Sequence, residues 1–156
     1  MNVVEVIETI KRIALYQNFI RSAYDGDVYD NWNNGEEIRY GSFNIGLQNI
    51  TYSDNIVTYT LVMYYGDRLT QDKSNANEIY TDGINSLQSI INFLNKASNV
   101  EISGDIVYTP FEQKFMDYLA GVYTTIELST ESQLGTCYDD LFTSWVLGMD
   151  LPAILS

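Results

Sequence analysis

The sequence predicts an α+β fold in which two amphipathic helices cover one face of a mainly antiparallel β-sheet. Two stretches place apolar side chains every three to four residues, which is the period of one helix face. Runs rich in β-branched and aromatic residues lie between and after these stretches, as expected of strands. The order helix, strands, helix, strands favours helices gathered on one side of the sheet over alternating βαβ units.

The first helix is predicted over residues 3–23, and the second begins at Asn75. Asn75 and Glu78 have the spacing of a capping box at the start of that second helix. Residues 24–35 are dense in Asp, Asn and Gly, which bond locally to the backbone or tolerate positive φ. They therefore predict a loop, with a short strand near Val28 to Trp32.

Two strands over residues 40–50 and 55–65 are predicted to form an antiparallel pair, joined by a turn at residues 51–54. The second strand carries apolar side chains on both faces. Such a strand is expected in the centre of the sheet, covered on each face by helices or by a neighbouring subunit.

Three further strands are predicted over residues 100–108, 111–118 and 122–128. Pro110 has no backbone N–H to donate, so its strand is expected at an edge or at a bend. The sheet should therefore contain two or three strands before the second helix and two or three after it.

The C-terminal segment differs from the rest of the chain because it is rich in large apolar residues. We divide the chain into a domain over residues 1–139 and a C-terminal arm over residues 140–156. An arm of this composition is expected to dock on its own domain or on a neighbouring subunit. Its large apolar residues are Leu141, Phe142, Trp145, Val146, Leu147, Met149, Leu151, Ile154 and Leu155.

The net charge of −13 argues against sequence-specific nucleic-acid binding. The eight Lys and Arg residues are scattered among 21 Asp and Glu residues and form no basic stripe that could neutralise phosphates. An acidic surface can still face DNA without adhering to it. No run approaches the roughly 18 apolar residues of a membrane span, so neither a membrane nor a targeting segment is expected.

The composition also removes most enzyme classes. Histidine is absent, which excludes His-dependent triads, Cys–His dyads and His-bearing zinc sites. Cys137 is the single cysteine, so it forms no intrachain disulfide, and no basic residue near it in sequence activates it. Carboxylate pairs such as Glu36-Glu37 and Asp139-Asp140 suffice for glycosidase chemistry, but solvated surface is the expected place for both. No catalytic residue is assigned, and the protein is not expected to be an enzyme.

The loop from Asp25 to Glu37 is the main candidate for a metal site, because it is dense in oxygen ligands. It fails the EF-hand spacing in every register. A structured loop is therefore expected, with an irregular calcium site as the alternative. Gly41, Gly46 and Gly66 match neither the GxGxxG nor the Walker A pattern, so no nucleotide site and no cofactor are expected.

The aromatic residues are the other candidate binding feature. Thirteen Tyr and two Trp provide large amphipathic side chains, a type enriched in cores and at protein interfaces. A carbohydrate platform would need several of them on one exposed face. The core and a subunit interface are therefore the expected places.

Several local sequences resemble the tail-terminator and tail-completion proteins of tailed bacteriophages, above all those of crAss-like phages. The most specific are Asp67-Arg68-Leu69, Ser74-Asn75 and Glu78-Ile79, which lead into the second helix and its first turn. The opening helix with its Tyr-Asp-Gly-Asp loop and the run from Phe111 to Cys137 also resemble this family. The resemblance covers roughly residues 3–137.

The resemblance implies a small α+β subunit that forms a closed sixfold or twelvefold ring of its own copies, with DNA passing through the centre. The implied partners are portal, other ring or tail-tube proteins, and the implied location is the virion after synthesis in the host cytoplasm. Residues 140–156 depart from the family, and an apolar arm lying on the next subunit would be one way to build a ring.

Two other function classes are retained. One is a monomeric tail-assembly chaperone that is absent from the finished particle. The other is a small carboxylate-dependent glycosidase, for which a deep pocket with two acids would be the distinguishing feature.

Overall fold

The computed structural model describes residues 2–33, 40–97, 99–114 and 118–131 and confirms the α+β class with a mainly antiparallel sheet. Predicted features at residues 34–39 and 132–156, including the C-terminal arm, lie outside the described residues. The helices are α1 (Val3–Leu15), α2 (Val28–Trp32) and α3 (Ala76–Leu94). The strands are β1 (Ser22–Asp25), β2 (Ser42–Ser53), β3 (Ile56–Arg68), β4 (Val100–Ser103), β5 (Thr109–Lys114) and β6 (Leu119–Glu131).

The sheet has the strand order β1-β2-β3-β6-β4, and β5 also pairs with β6. Of the strand pairs that the structure describes, β1–β2 is parallel and the others are antiparallel. Strands β4 and β5 lie one after the other along the same side of β6, because β3 occupies the other side. The prediction that β3 is central is therefore confirmed, as is the edge position of Pro110, whose strand pairs only with β6 in the described part of the chain.

Helices α1 and α3 pack on one face of the sheet, as predicted. Alternate residues of β3 point to this face and are buried, and Leu61 at its centre is 0% exposed. Val6 and Ile10 of α1 and Leu87 and Ile90 of α3 belong to the same apolar cluster. This helix-covered face is the main core of the protein.

Among the described residues, α2 and an aromatic cluster cover the second face of the sheet at one end only. Trp32 of α2 donates a hydrogen bond from Nε1 to Ser42 Oγ (3.1 Å) and meets Tyr64 edge-on, with ring centroids 6.2 Å apart. Trp32 lies over Gly66, where a Cβ atom would stand 2.8 Å from the indole ring. We call this end of β3, residues 64–68, the closed end, and residues 56–60, beside the hairpin turn, the open end.

The prediction for residues 3–32 was wrong in two places. Helix α1 ends at Leu15, where Gln17 Nε2 donates to the Ile13 carbonyl, and the chain then enters β1. Residues 28–32 form a helix instead of a short strand, because the Asp27 side chain accepts hydrogen bonds from the N–H groups of Tyr29 and Asp30. This is N-cap chemistry, which stabilises even a one-turn helix.

The predicted turn and cap were also displaced. The β2–β3 hairpin turns at Asp54 and Asn55, whose φ angles of 52° and 64° fit a type I′ turn, so both strands are longer than predicted. Asn75 is the N-cap of α3 but makes no side-chain capping bond. Of the predicted strand over residues 100–108, only Val100–Ser103 is a strand, and β6 extends to Glu131.

Candidate functional site

The β3–α3 loop carries the most specific part of the sequence resemblance, and Asn75 holds it together. The Asn75 Oδ1 atom accepts hydrogen bonds from Thr70 N (2.9 Å) and Thr70 Oγ1 (3.1 Å). Its Nδ2 atom donates to the Arg68 carbonyl (3.0 Å). Asp72 accepts from the Thr70 hydroxyl and from Ser74 N. Asn75 thus closes the loop instead of capping the helix.

A polar cavity of about 170 Å³ lies next to this loop. It contains two carboxylates, Asp67 and Asp82, together with the guanidinium-bearing Arg21 and the phenol-bearing Tyr65. The residues lining it are Asn18, Phe19, Arg21, Tyr40, Gly41, Tyr65, Asp67 and Asp82. Sequence analysis missed this pair of acids because one lies on β3 and the other on α3, fifteen positions apart.

Both carboxylates of the cavity hold protons more tightly than usual. Burial raises the pKa of Asp67 above 3.8, although the backbone N–H of Arg68 and the Arg21 charge oppose the shift. Burial also raises the pKa of Asp82, and the nearby charges of Glu78 and Asp67 add to this effect. Burial raises the pKa of the Tyr65 phenol far above its usual value of 10.0.

This cavity fits poorly with glycosidase chemistry. Carboxylate pairs that divide acid and base roles have environments that push their pKa values apart. Here burial is the main cause for both acids, and both pKa values move upward. The cavity is also smaller than the roughly 300–1,000 Å³ of typical ligand pockets.

In the described part of the Asp25 to Glu37 loop, the side chains make hydrogen bonds to nearby groups of the protein. Asp25 accepts a hydrogen bond from Lys11 Nζ (2.8 Å), which raises the pKa of that lysine. Asp27 caps α2, and Asn31 Nδ2 donates to the Asp25 carbonyl and to Asn44 Oδ1. No group of three or more metal-ligating side chains occurs among the described residues. Residues 34–37 of this loop lie outside the described residues, so the choice between a structured loop and an irregular calcium site stays a prediction.

The other residues considered from sequence do not come together in a site. Glu36-Glu37, Asp139-Asp140 and Cys137 lie outside the described residues. Gly66 lies under Trp32 in the aromatic cluster, and Gly41 lines the polar cavity. The cluster itself is built by Trp32, Val28, Phe111 and Leu119, with Tyr24, Tyr40, Tyr64 and Tyr123 packed around it.

An apolar strip runs along β2 on the helix side of the sheet. A β-bulge between Leu47 and Asn49 shifts the register, so that Leu47 pairs with Leu61 and Ile50 with Tyr59. The bulge therefore places Leu47, Ile50 and Tyr52 on one face, although an unbroken strand would put Leu47 opposite the other two. They are 40%, 46% and 53% exposed. We call these three side chains the β2 strip.

The backbone edge beside the strip is also unpaired. Strand β1 reaches only as far as the Asp25–Ile45 pair, so residues 46–53 of β2 have no strand neighbour on that side in the described part of the protein. An exposed strand edge with apolar side chains is a template for protein contacts. Sequence analysis did not find the strip, because the bulge that creates it has no clear sequence signal.

At the open end, the second face of the sheet is acidic and rich in hydroxyl groups. Glu127 and Glu131 of β6 and Glu101 of β4 lie exposed on this face, with Thr58, Thr60, Thr125 and Ser129 between them. Thr58 and Ser129 hydrogen-bond through their hydroxyl groups (2.8 Å). None of the Lys or Arg residues in the described part of the chain lies on β4, β6 or residues 56–60. We call this surface the acidic face.

Comparison with protein-family models and with curated proteins gives no match for this chain. Among the described residues, none of the helices combines the length and apolar character needed to cross a bilayer. The features of this chain that bear on its function are therefore the sequence resemblance, the β2 strip and the acidic face.

Proposed function

We propose that the protein is a structural subunit that assembles with its own copies into a ring in the neck or tail of a tailed bacteriophage. The ring joins portal or other ring proteins to the tail and lets DNA pass. The observation that carries the proposal is the acidic face, a broad sheet surface that presents carboxylates and hydroxyl groups to solvent.

The acidic face suits a channel through which DNA slides. DNA carries one negative charge per roughly 1.7 Å of helix axis, so a surface that binds it must present cations. Carboxylates at Glu101, Glu127 and Glu131 repel phosphates instead. A ring with this face toward its lumen would surround DNA without binding it, in agreement with the net charge of −13.

The β2 strip provides a surface for self-assembly. Rings form through head-to-tail contacts in which two different surfaces of the subunit meet. The strip combines three exposed apolar side chains with a strand edge that has no strand neighbour in the described part of the chain. On the acidic face, by contrast, the exposed apolar residue Ile56 lies among carboxylates and hydroxyl groups. The two surfaces thus have different chemistry and suit different roles.

Electron microscopy of the purified full chain tests the ring directly. Negative-stain images are expected to show closed rings with a central hole. Mass spectrometry of purified virions then separates a ring component from an assembly chaperone, because only the ring component stays in the finished particle. Particles without a central hole would contradict the ring, and absence from virions would favour the chaperone.

The polar cavity is the place to test the alternative function, a carboxylate-dependent glycosidase, although its two acids fit this chemistry poorly. Its two acids, Asp67 and Asp82, share a cavity with Tyr65. We expect no hydrolysis of a panel of chromogenic glycosides above that of buffer. Hydrolysis that is lost in both Asp67→Asn and Asp82→Asn variants, with Asp105→Asn as the control, would replace the structural proposal with an enzymatic one.

A further inference from the structure

The C-terminal arm of this sequence is a candidate to bind the β2 strip. Strand β6 ends at Glu131, which pairs with Ile56 directly after the hairpin turn. The last described residue of the chain therefore lies at the open end, close to the strip. Strands β6 and β2 are separated by β3 alone, a distance of about 10 Å at the usual strand spacing.

The segment that joins β6 to the apolar residues of the arm is longer than the distance from β6 to the strip. Nine residues, 132–140, separate Glu131 from the first large apolar residue, Leu141. At about 3.3–3.6 Å per residue, they span up to roughly 30 Å when extended.

The chemistry of the arm also fits the strip. Residues 141–156 contain one charged residue, Asp150, and nine large apolar residues. The strip offers Leu47, Ile50 and Tyr52 beside an unpaired backbone edge. An apolar segment laid against this edge would remove apolar area from water on both partners and satisfy free backbone groups.

We propose that the β2 strip binds the apolar part of the C-terminal arm, residues 141–155, of a second copy of the chain. This inference rests on the proposed function, because a head-to-tail ring needs two different surfaces in contact, and the arm and the strip are such a pair. Each subunit gives its arm to one neighbour and accepts the arm of the other. The arm is thus the connection between adjacent subunits of the ring.

Site-specific crosslinking tests whether the arm of one subunit contacts the strip of another. In a Cys137→Ser background, one variant carries Ile50→Cys in the strip and another carries Ser144→Cys in the arm, which leaves the arm's apolar residues intact. The two are mixed, reassembled and oxidised, and we expect a covalent dimer on a denaturing gel. A mixture of Thr125→Cys, on the acidic face, with Ser144→Cys is the matched control and should give none.

Other outcomes separate this inference from the proposed function. Rings that persist without a dimer in the Ile50→Cys mixture would overturn the inference alone. A chain carrying both Ile50→Cys and Ser144→Cys that forms only an internal disulfide would also overturn it, because the arm would then lie on its own subunit. In the chain without introduced cysteines, Ile50→Asp should shift the equilibrium from rings toward free subunits, whereas Thr125→Asp should not. A wild-type chain that never forms rings contradicts the proposed function itself.

Discussion

The described residues pack on both faces of the closed end of β3, whereas they cover only one face of its open end. At the closed end, Trp32 and Tyr64 fill the second face, and the Asn75 loop secures the exit to α3. At the open end, the helix-side residues Val57 and Tyr59 are still buried, but the opposite face meets solvent. The difference indicates that the closed end contributes more packing to the fold, and we propose that the open end makes the contacts with other chains.

The aromatic cluster allows the largest test of this comparison. Trp32→Ala should lower the free energy of unfolding by about 3–5 kcal/mol, because Trp32 is 1% exposed and its removal leaves a cavity over Gly66. Tyr29→Ala on the same helix, at a residue 54% exposed, should cost less than about 1 kcal/mol. Urea unfolding measures both, and equal losses would show that the cluster does not hold the closed end.

Adjacent residues of β3 test the two faces of the sheet. Leu61→Ala should cost about 3 kcal/mol, because this side chain is fully buried under the helices. Thr60→Ala, at the neighbouring position on the opposite face, should change the free energy of unfolding by about 1 kcal/mol or less. Thermal and urea unfolding of the pair provide the measurement. A Thr60 effect as large as that of Leu61 would mean that the second face is also packed at the open end.

The β3–α3 loop should show a smaller effect. Asn75→Ala removes three hydrogen bonds that close the loop, so we expect a loss of about 1–2 kcal/mol in unfolding free energy. Asn92→Ala on α3 removes one exposed bond to Gln88 and should cost only about 0.2–0.5 kcal/mol. Comparable losses for the two variants in urea unfolding would exclude Asn75 as the residue that secures the loop.

The polar cavity should give the smallest effect, visible as a pH dependence. The pKa of Asp67 is raised in the folded state, so its charge opposes folding at neutral pH. This penalty falls as the pH drops through the raised pKa toward the usual 3.8. Asp67→Asn should therefore stabilise the protein more at pH 7 than at pH 4.

The exposed residue Asp105 supplies the control, because Asp105→Asn removes one negative charge away from the cavity. Urea unfolding at both pH values compares the two variants. A gain for Asp67→Asn that is equal at both pH values would contradict the burial of this carboxylate.

Periodicity and residue type were enough to predict the layers of the fold, but not its local exceptions. The apolar stripes of α1 and α3 and the two-sided character of β3 predicted the helix layer and the central strand. The N-cap at Asp27 was missed, and the hairpin turn was predicted at residues 51–54 instead of Asp54-Asn55. Asp before a helix and two turn-forming residues in a row are nevertheless recognisable signals.

The candidate surfaces could not be predicted for a different reason. The β2 strip depends on a bulge that changes which side chains share a face, and period-2 alternation alone cannot locate it. The Asp67–Asp82 pair depends on how α3 packs against β3. Both arise from tertiary structure. The net charge of −13 predicted an acidic protein, but it could not place carboxylates at the open end.

The mass of the full chain in solution tests the central claim most directly. Size-exclusion chromatography with light scattering should give one discrete species, six or twelve times the 17.8 kDa of the chain. The same mass across a dilution series would show that the assembly is closed, because open head-to-tail polymers change length with concentration. A mass of one chain at every concentration would contradict the account.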